Sequence, residues 1–361
     1  MVARKCGLMG WLAYSGGGGE TTDVHASITS ESMIETGALV LEAPLPSDHR
    51  AATLLEVATL HPTPSLLRIQ SIPGEGFSVL ISSGGHVFHA LISHTLQART
   101  DNFRLTLNWD SISGDGLLSI EHPGDDALFT SELTGCIAMS GALVLGALSE
   151  TRAPEVQKKL AYIGFHQGPL SIGPTPTLDY HTPVLTPQGY RKIGALKPGD
   201  TVISANANIV PVLGVFKKVT PAFGSYAPVR LRAPYFGLQS DLVMAGTQRL
   251  IVGGSDVEYT FGCDEVLIPA QHLINGTAAI AQPVGGTTTY FQLLLPENEA
   301  FIASELLLES LFIGRLRRRK AIFKHTSLAA LPRNLLPEHA ATVSQILRPY
   351  EAITLAAMRA A

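Results

Sequence analysis

The sequence predicts an all-β protein with a β-sandwich at its N-terminal end, a second β domain after it and a short helical tail. Short runs of Val, Ile, Leu and Thr recur between 34 glycines and 23 prolines in 361 residues, a pattern typical of strands joined by tight turns. The apolar fraction is 45% and the charged fraction 16%, which predicts packed cores rather than disorder. A chain of this length is expected to hold more than one domain.

Charge and cysteine content narrow the class of function. The net charge of −4 argues against nucleic acid or an anionic membrane as the main partner. No apolar stretch reaches the roughly 20 residues of a membrane span. The three cysteines, Cys6, Cys136 and Cys263, show no metal-ligand spacing and are expected to be buried free thiols. We therefore predict no metal, no cofactor and no nucleic-acid partner.

Composition also divides the chain into segments. The N-terminal stretch around Gly16–Gly19 has no periodicity and is predicted to be flexible. Its apolar part, Cys6–Tyr14, is interrupted by Gly7 and Gly10, so it is not a clear signal peptide and the compartment stays open between cytoplasm and export. The predicted segments are a leader (1–35), a β-sandwich (36–167), a Pro- and Gly-rich linker (168–176), a second β domain (177–314) and a basic segment with a helical tail (315–361).

Alternation of apolar and polar residues predicts the strands of the first domain. Phe77–Ser82 and His86–Ile92 flank Gly84-Gly85, which indicates a hairpin. From Phe103 to Trp109 every second residue is apolar, so this strand is expected to bury one face, with Trp109 in the core. The strand and the Gly-Leu-Leu-Ser-Ile-Glu run after it resemble concanavalin-A-like jelly rolls, which implies a jelly-roll-like sandwich. A short helix is predicted at Ala153–Leu160.

The second domain carries the most informative stretch, Thr177–Ser204. It reads TLDYHTPVLTPQGYRKIGALKPGDTVIS, and Thr182, Thr186, Pro187 and Gly189 are in register with the opening of a Hint domain, the self-cleaving module of hedgehog proteins and inteins. Later blocks resemble those of bacterial Hint domains in the same order. These blocks are Ala227–Ala233, Asp241–Val252, Glu265–Gly276, Tyr290–Leu295 and Glu309–Gly314.

The resemblance implies a self-cleavage reaction, in which a side-chain nucleophile attacks the carbonyl of the preceding residue. The family's nucleophilic Cys corresponds to Thr177, and its proton-handling His corresponds to Gln248, whose amide cannot shuttle a proton. A further family His position holds Gln292, whereas His272 resembles a His that the family usually has, although a packing role is favoured for it. We predict that Thr177, Gln248 and His272 mark the catalytic positions of a degenerate site. Autoprocessing is then lost or impaired, and the domain serves as a structural or interaction module with a protein or glycan partner.

Two alternative functions stay open. Thr177 keeps a hydroxyl, and on an extended strand it would share one face with Asp179 and His181, an arrangement suited to an active self-cleaving protein. The other alternative is a carbohydrate-binding module formed by the N-terminal sandwich, which requires exposed aromatic side chains.

The C-terminal segment begins with a run of cations, Arg315–Lys320. We interpret this run as a solvated face or a helix end. Helices are predicted after it at Glu338–Leu347 and Tyr350–Ala361, with Pro349 at a position that a first helical turn tolerates.

Overall fold

The computed structural model describes residues 10–16, 22–45, 51–93, 102–124, 126–150, 160–282 and 285–360. The chain forms two compact units, residues 1–173 and 174–361. In the part of the chain that is described, no helix is long and apolar enough to cross a membrane. Apart from Leu160, the helix predicted at Ala153–Leu160 lies within residues 151–159, which are outside the described ranges.

Strands make up most of the first unit. Along Ser65–Ile72 buried and half-buried residues alternate, as expected of a strand with one face in a core. The described elements are β1 (Trp11–Gly16), β2 (Thr22–Val24), β3 (Met33–Ile34), β4 (Thr36–Pro44), β5 (Ala52–Thr59), β6 (Ser65–Ile72), β7 (Gly76–Ser83), β8 (His86–Ile92), β9 (Asn102–Asp110), β10 (Asp115–His122), β11 (Ala127–Thr134), β12 (Met139–Ser140), α1 (Gly141–Glu150) and β13 (Tyr162–Gln167).

Two sheets enclose the core of the first unit. One has the order β11-β10-β9-β4-β13-β1-β2 and the other β5-β6-β7-β8. The ring centroids of Phe77 and Phe103, one from each sheet, are 4.4 Å apart, and Leu39 and Leu67 belong to the same apolar cluster. Trp109 also lies in this cluster, and its indole N–H donates to the carbonyl oxygen of Ile34 at 3.0 Å. The predicted sandwich and the core position of Trp109 are confirmed.

The prediction of a flexible leader over residues 1–35 is wrong where the structure describes it. Trp11–Gly16 pairs antiparallel with Tyr162–Gln167 on one side and with Thr22–Val24 on the other. The main partner strand lies at the opposite end of the unit's sequence, so local periodicity could not indicate the pairing. Residues 1–9 and 17–21, which include the glycine run, lie outside the described ranges.

The first part of the predicted linker is held against the first unit. The N–H of Leu170 donates to Oδ1 of Asn108 at 2.7 Å, and Nδ2 of Asn108 donates to the carbonyl oxygen of Leu170 at 3.1 Å. The N–H of Gly173 donates to Oε1 of Glu121 at 2.8 Å. These side chains satisfy backbone groups that a solvated linker would leave to water, so residues 170–173 are tied to the first unit.

The second unit is also mainly β. Its strands are short, and Gly189 (φ +102°) and Gly199 (φ +92°) adopt at turns a backbone conformation that favours glycine. The described elements are β14 (Leu178–Asp179), β15 (Pro183–Thr186), β16 (Gly189–Lys192), β17 (Thr201–Ile203), β18 (Ile209–Pro211), β19 (Gly214–Pro221), β20 (Pro228–Leu231), β21 (Leu242–Ala245), β22 (Arg249–Gly253), α2 (Ser255–Phe261), β23 (Glu265–Pro269), β24 (Ala279–Ala281), β25 (Thr287–Leu294), β26 (Ala300–Ala303), β27 (Leu306–Glu309), α3 (Lys320–Phe323), β28 (Gln345–Ile346) and α4 (Pro349–Ala360).

Two large sheets contribute to the core of the second unit. Their strand orders are β19-β25-β14-β21-β20-β24 and β16-β15-β26-β27-β22-β23-β28. Leu178 from the first sheet and Leu250 from the second lie in one apolar cluster. The same cluster includes Leu347 and Leu355 from the tail, so the tail is part of this unit's core.

The tail differs in part from its prediction. Residues 338–347 are not helical: Gln345–Ile346 forms β28, which pairs parallel with β23, and this pairing satisfies the backbone of a segment whose sequence suggested a helix. The second predicted helix is present as α4, Pro349–Ala360. The predicted fold class, two β domains with a short helical C-terminal tail, is confirmed.

Candidate functional site

The backbone of Thr177 is fixed between two strands of the second unit. Its N–H donates to the carbonyl oxygen of Phe291 on β25 at 3.3 Å, and its carbonyl oxygen accepts the N–H of Ala245 on β21 at 2.7 Å. Leu178, the next residue, is fully buried in the core. Thr177 itself is 7% exposed, so its hydroxyl is largely withdrawn from solvent.

Three polar side chains from distant parts of the sequence meet at this point. Oγ1 of Thr177 donates to Oε1 of Gln248 at 2.5 Å. Nε2 of Gln292 donates to Oγ1 of Thr177 at 3.1 Å and to Oε1 of Gln248 at 2.9 Å. All three residues are buried, and we call them the Thr–Gln–Gln cluster. The structure thus brings together two predicted site residues, Thr177 and Gln248, with Gln292.

The surrounding backbone holds both amides of the cluster in one orientation. Nε2 of Gln248 donates to the carbonyl oxygens of Arg249 at 2.7 Å and Glu309 at 3.3 Å. Oε1 of Gln292 accepts the N–H of Leu293 at 3.1 Å. Rotating either amide by half a turn would place oxygen against oxygen or N–H against N–H. Oε1 of Gln248 is therefore committed to accepting, and the Thr177 hydroxyl donates to it.

A buried ion pair lies beside the cluster. Nη1 of Arg249 is 3.2 Å from Oε2 of Glu309, and both side chains are at least nine-tenths buried. The carbonyl oxygen of Glu309 also accepts from Gln292, at 3.3 Å. Sequence reasoning missed this pair because its members are far apart along the chain. The available signal was a charged residue at the end of each of two otherwise apolar strands, Arg249–Gly253 and Leu306–Glu309.

The hydrogen bonds of Thr177 include no group that transfers a proton. An amide oxygen accepts a hydrogen bond but does not act as a base near neutral pH. Acyl transfer from the Pro176–Thr177 peptide bond also requires an acid for the leaving nitrogen, and that nitrogen donates to the carbonyl oxygen of Phe291. A carbonyl has no proton to supply. The side-chain partners of the Thr177 hydroxyl are therefore two amides.

His272, the third predicted catalytic position, does not bond to the Thr177 hydroxyl. It lies on the short 3₁₀ helix Ala270–Leu273 and is half-buried. Its Nε2 is 3.5 Å from Nε2 of Gln271. The hydroxyl of Thr177 bonds to Gln248 and Gln292 instead. The structure therefore leaves His272 outside the cluster.

The Thr177, Asp179 and His181 trio of the self-cleaving alternative does not form. The strand ends at Asp179, and Oδ1 of Asp179 accepts the N–H of His181 at 2.8 Å. The N–H of Thr182 closes the turn on the carbonyl oxygen of Asp179 at 3.1 Å. Because an Asx turn replaces the extended strand, the common face on which the trio depends is absent, and His181 is exposed.

The cysteines and other metal-binding residue types indicate no second reactive site in the described ranges. Burial, with Asp115 and Asp110 nearby, raises the pKa of the Cys136 thiol to about 11, so this thiol stays protonated and unreactive. Cys263 is half-buried and free, and Cys6 lies outside the described residues. Among the described residues, no group of three or more His, Cys, Asp or Glu is placed to hold a metal ion.

Comparison with known proteins bears on the second unit. The family model described as "Hint domain" matches residues 176–315, which confirms the family resemblance predicted from the sequence. No curated protein matches the chain.

Three solved structures illustrate the structural likenesses. The crystal structure of the MchDnaB-1 intein is 12% identical over 37% of this chain and 98% of its own, with a TM-score of 0.26. The crystal structure of the gp41-1 intein is 17% identical over 37% of this chain and 96% of its own, with a TM-score of 0.23. The structure of the Ruminococcus gnavus IT-sialidase CBM40 bound to α2,3 sialyllactose is 12% identical over 38% of this chain and 79% of its own, with a TM-score of 0.26. These TM-scores are low, so the assignment rests on the family match.

Proposed function

Because residues 176–315 form a Hint domain, we propose that this domain serves as a structural or interaction module in which autoprocessing has been lost. The observation that supports the proposal is the Thr–Gln–Gln cluster. The Thr177 hydroxyl donates to Gln248 and accepts from Gln292. A Hint reaction at this position would need the hydroxyl to lose its proton to a base, and its hydrogen-bond partners are amides.

The leaving group supports the same proposal. Thr177 would attack the carbonyl carbon of Pro176, and the peptide nitrogen between them would have to gain a proton to depart. That N–H donates to the carbonyl oxygen of Phe291. Pro176 adds a further restriction, since its ring fixes φ and limits how the scissile bond can distort. Nucleophile and leaving group therefore both lack their proton-transfer partner.

Intact-mass spectrometry of the full-length chain over several days tests the proposal. We expect a single species of unchanged mass in buffer alone, with dithiothreitol and with hydroxylamine, because each reagent only captures an ester or thioester that the chain must first form. A fragment beginning at Thr177, in any of the three conditions, would show that the self-cleaving alternative is correct.

A variant comparison separates slow chemistry from contaminating protease. Thr177→Val keeps the shape of the side chain and removes the hydroxyl, whereas Thr177→Ser keeps the hydroxyl. Should a fragment appear in the wild-type chain, self-cleavage predicts that it disappears in Thr177→Val and persists in Thr177→Ser. A protease would cut both variants alike.

A further inference from the structure

We propose that the C-terminal segment 315–338 of this protein binds the surface of an anionic lipid membrane. The segment contains seven cationic residues and one carboxylate, in a chain whose net charge is −4. The overall charge argues against an anionic partner, but electrostatic attraction is decided by the local distribution of charge. We call the exposed cations of this segment the basic patch; they are Arg315, Arg317, Arg318, Arg319, Lys320, Lys324 and Arg333.

The fold holds the basic patch in a fixed arrangement. Four apolar side chains of the same segment are buried in the second unit and anchor the segment to it. They are Leu316, Ile322, Leu328 and Leu336. Short helical turns connect these anchors. The cations between them are exposed, so binding would not require the segment to be ordered first, and that entropic cost is avoided.

Contacts within the segment bring its two ends together. Nη2 of Arg318 is 2.6 Å from Oε2 of Glu338, and Nη1 of Arg317 donates to the carbonyl oxygen of Leu336 at 3.4 Å. Arg318, Arg317 and Arg315 lower the pKa of the Glu338 carboxyl together, which indicates that their charges converge near it. The exposed cations outside this pair include Arg315, Lys320 and Arg333.

An exposed leucine beside these cations favours a lipid surface over nucleic acid. Leu335 is 67% exposed and precedes Leu336, whose carbonyl binds Arg317. Arg333 belongs to the same helical turn, Arg333–Leu335. A leucine adds nothing to a phosphate contact, but it can enter the boundary between headgroups and acyl chains while the cations bind the headgroups. The acidic remainder of the chain would be repelled and turned away from the membrane.

Co-sedimentation of the full-length chain with lipid vesicles tests the proposal. One set of vesicles is phosphatidylcholine alone, and the other contains equal parts of phosphatidylcholine and phosphatidylserine. We expect binding to the second set only, with release at about 0.5 M salt, where charges are screened over a few ångströms. Free O-phosphoserine at millimolar concentration should not displace the protein, since one headgroup cannot replace a charged surface.

Matched variants identify the patch as the source of binding. Arg315→Gln with Lys320→Gln removes two exposed charges and should weaken vesicle binding about thirtyfold, since each contributes a factor of about five. The control, Lys192→Gln with Lys217→Gln, makes the same change in net charge at two exposed lysines outside the patch and should change binding less than twofold. Leu335→Gln should weaken vesicle binding without changing the salt dependence.

Three results would overturn the proposal. The first is equal binding to both sets of vesicles, or to neither. The second is an equal loss of binding in the control and patch variants. The third is binding to duplex DNA that is tighter than binding to the anionic vesicles and insensitive to Leu335→Gln, which would identify the patch as a nucleic-acid surface.

Discussion

At the scale of single residues, Thr177, which we predict to occupy the nucleophile position of a Hint domain, has a hydroxyl that bonds to two amides. Oε1 of Gln248 accepts hydrogen bonds from Thr177 and Gln292 together. Such an acceptor stabilises the neutral hydroxyl, because it holds the proton on the oxygen that would have to lose it. The burial of the cluster strengthens this effect by excluding water as an alternative base.

Restoring the family residues should restore part of the reaction. The double variant Thr177→Cys, Gln248→His supplies a thiol that ionises near neutral pH and an imidazole that can handle its proton. We expect thiol-dependent release of an N-terminal fragment ending at Pro176, detected by intact-mass spectrometry over hours to days.

Thr177→Cys alone is the control for that experiment, and it should remain uncleaved because Gln248 still cannot transfer a proton. Folding of both variants can be checked by circular dichroism. A double variant that is folded and stays intact would contradict the prediction, and would mean that the backbone around Pro176 no longer allows the attack.

Gln248 is expected to stabilise the fold through the hydrogen bonds of its buried amide. Gln248→Met fills a similar volume but leaves the Thr177 hydroxyl without an acceptor for its proton. It also removes one hydrogen bond each from the Gln292 amide and from the carbonyl oxygens of Arg249 and Glu309. Unsatisfied buried groups cost roughly 1–3 kcal/mol each, so we expect a loss of about 3 kcal/mol in the free energy of unfolding after partial relaxation. Urea denaturation followed by far-UV circular dichroism measures it.

Gln188→Met is the matched control, since Gln188 lies in the same unit and is exposed. Its effect should stay within about 0.5 kcal/mol. If both variants lose the same free energy, the cluster contributes no more than a surface glutamine, and the role assigned to Gln248 is wrong.

At the scale of elements, one histidine ties the tail to the strands of the second unit. Nδ1 of His339 accepts the N–H of Ile313 at 3.3 Å, and Nε2 lies 3.3 Å from the carbonyl oxygen of Leu295. His339 is therefore neutral, with its proton on Nε2. Burial lowers its pKa, although the carbonyl of Leu295 and the charge of Glu297 act in the opposite direction.

This histidine should make stability depend on pH. Its pKa is lower in the folded state than in the unfolded chain, where it is about 6.5. The unfolded state therefore binds a proton more readily, so the contribution is fully present above about pH 6.5 and is lost as the pH falls through the folded-state pKa. Urea denaturation at successive pH values between neutral and mildly acidic should show this decline.

His339→Gln should remove that part of the pH dependence, because glutamine does not titrate. His181→Gln makes the same substitution at an exposed histidine and is the matched control. A wild-type pH profile that coincides with the profile of His339→Gln would show that His339 does not titrate on unfolding.

The elements that sequence reasoning identified are those whose signal is local. The hairpin between β7 and β8 follows from two alternating runs around Gly84-Gly85, and the structure pairs them in that register. Strand β1 was missed because its partner, Tyr162–Gln167, is distant in sequence. Helix α1 (Gly141–Glu150) is apolar over most of its length, and periodicity does not distinguish such a helix from a buried strand.

The residues of the candidate site also divide into those that a sequence motif identifies and those that it does not. Thr177, Gln248 and Gln292 were found by the resemblance to family blocks, which fixes register even where the residues themselves have changed. The ion pair between Arg249 and Glu309 belongs to no such motif and depends on two strands meeting in space. The predicted trio of Thr177, Asp179 and His181 does not form because an Asx turn at Asp179 changes the direction of the chain. The prediction assumed that residues 177–181 form one extended strand.

At the scale of the whole molecule, we propose that the two units fold independently. The large apolar cluster of the first unit draws its residues from Leu12 to Phe165, and that of the second from Leu178 to Leu355. Each cluster has its own set of sheets. A fragment of residues 174–361 should therefore be soluble and unfold in one cooperative transition.

The positions of the tryptophans allow a test in the intact chain. Both tryptophans, Trp11 and Trp109, lie in the first unit, so their fluorescence reports that unit alone, whereas circular dichroism reports both. We expect Gln248→Met to lower the urea midpoint seen by circular dichroism and to leave the fluorescence midpoint unchanged. A shift of both midpoints by the same amount, together with an insoluble fragment of residues 174–361, would show that the units fold as one.

The closed Thr–Gln–Gln cluster has a consequence for stoichiometry. A Hint domain that cuts the chain at its own first residue releases the unit that precedes it. The two products then have separate concentrations and lifetimes. An uncut Pro176–Thr177 bond instead keeps one sandwich unit for every Hint domain, and the short tether makes their effective concentration independent of expression level. The sandwich unit is then present wherever the second unit resides, in a ratio of one to one. Under the proposed loss of autoprocessing, the chain is a permanent two-part protein and not a transient precursor.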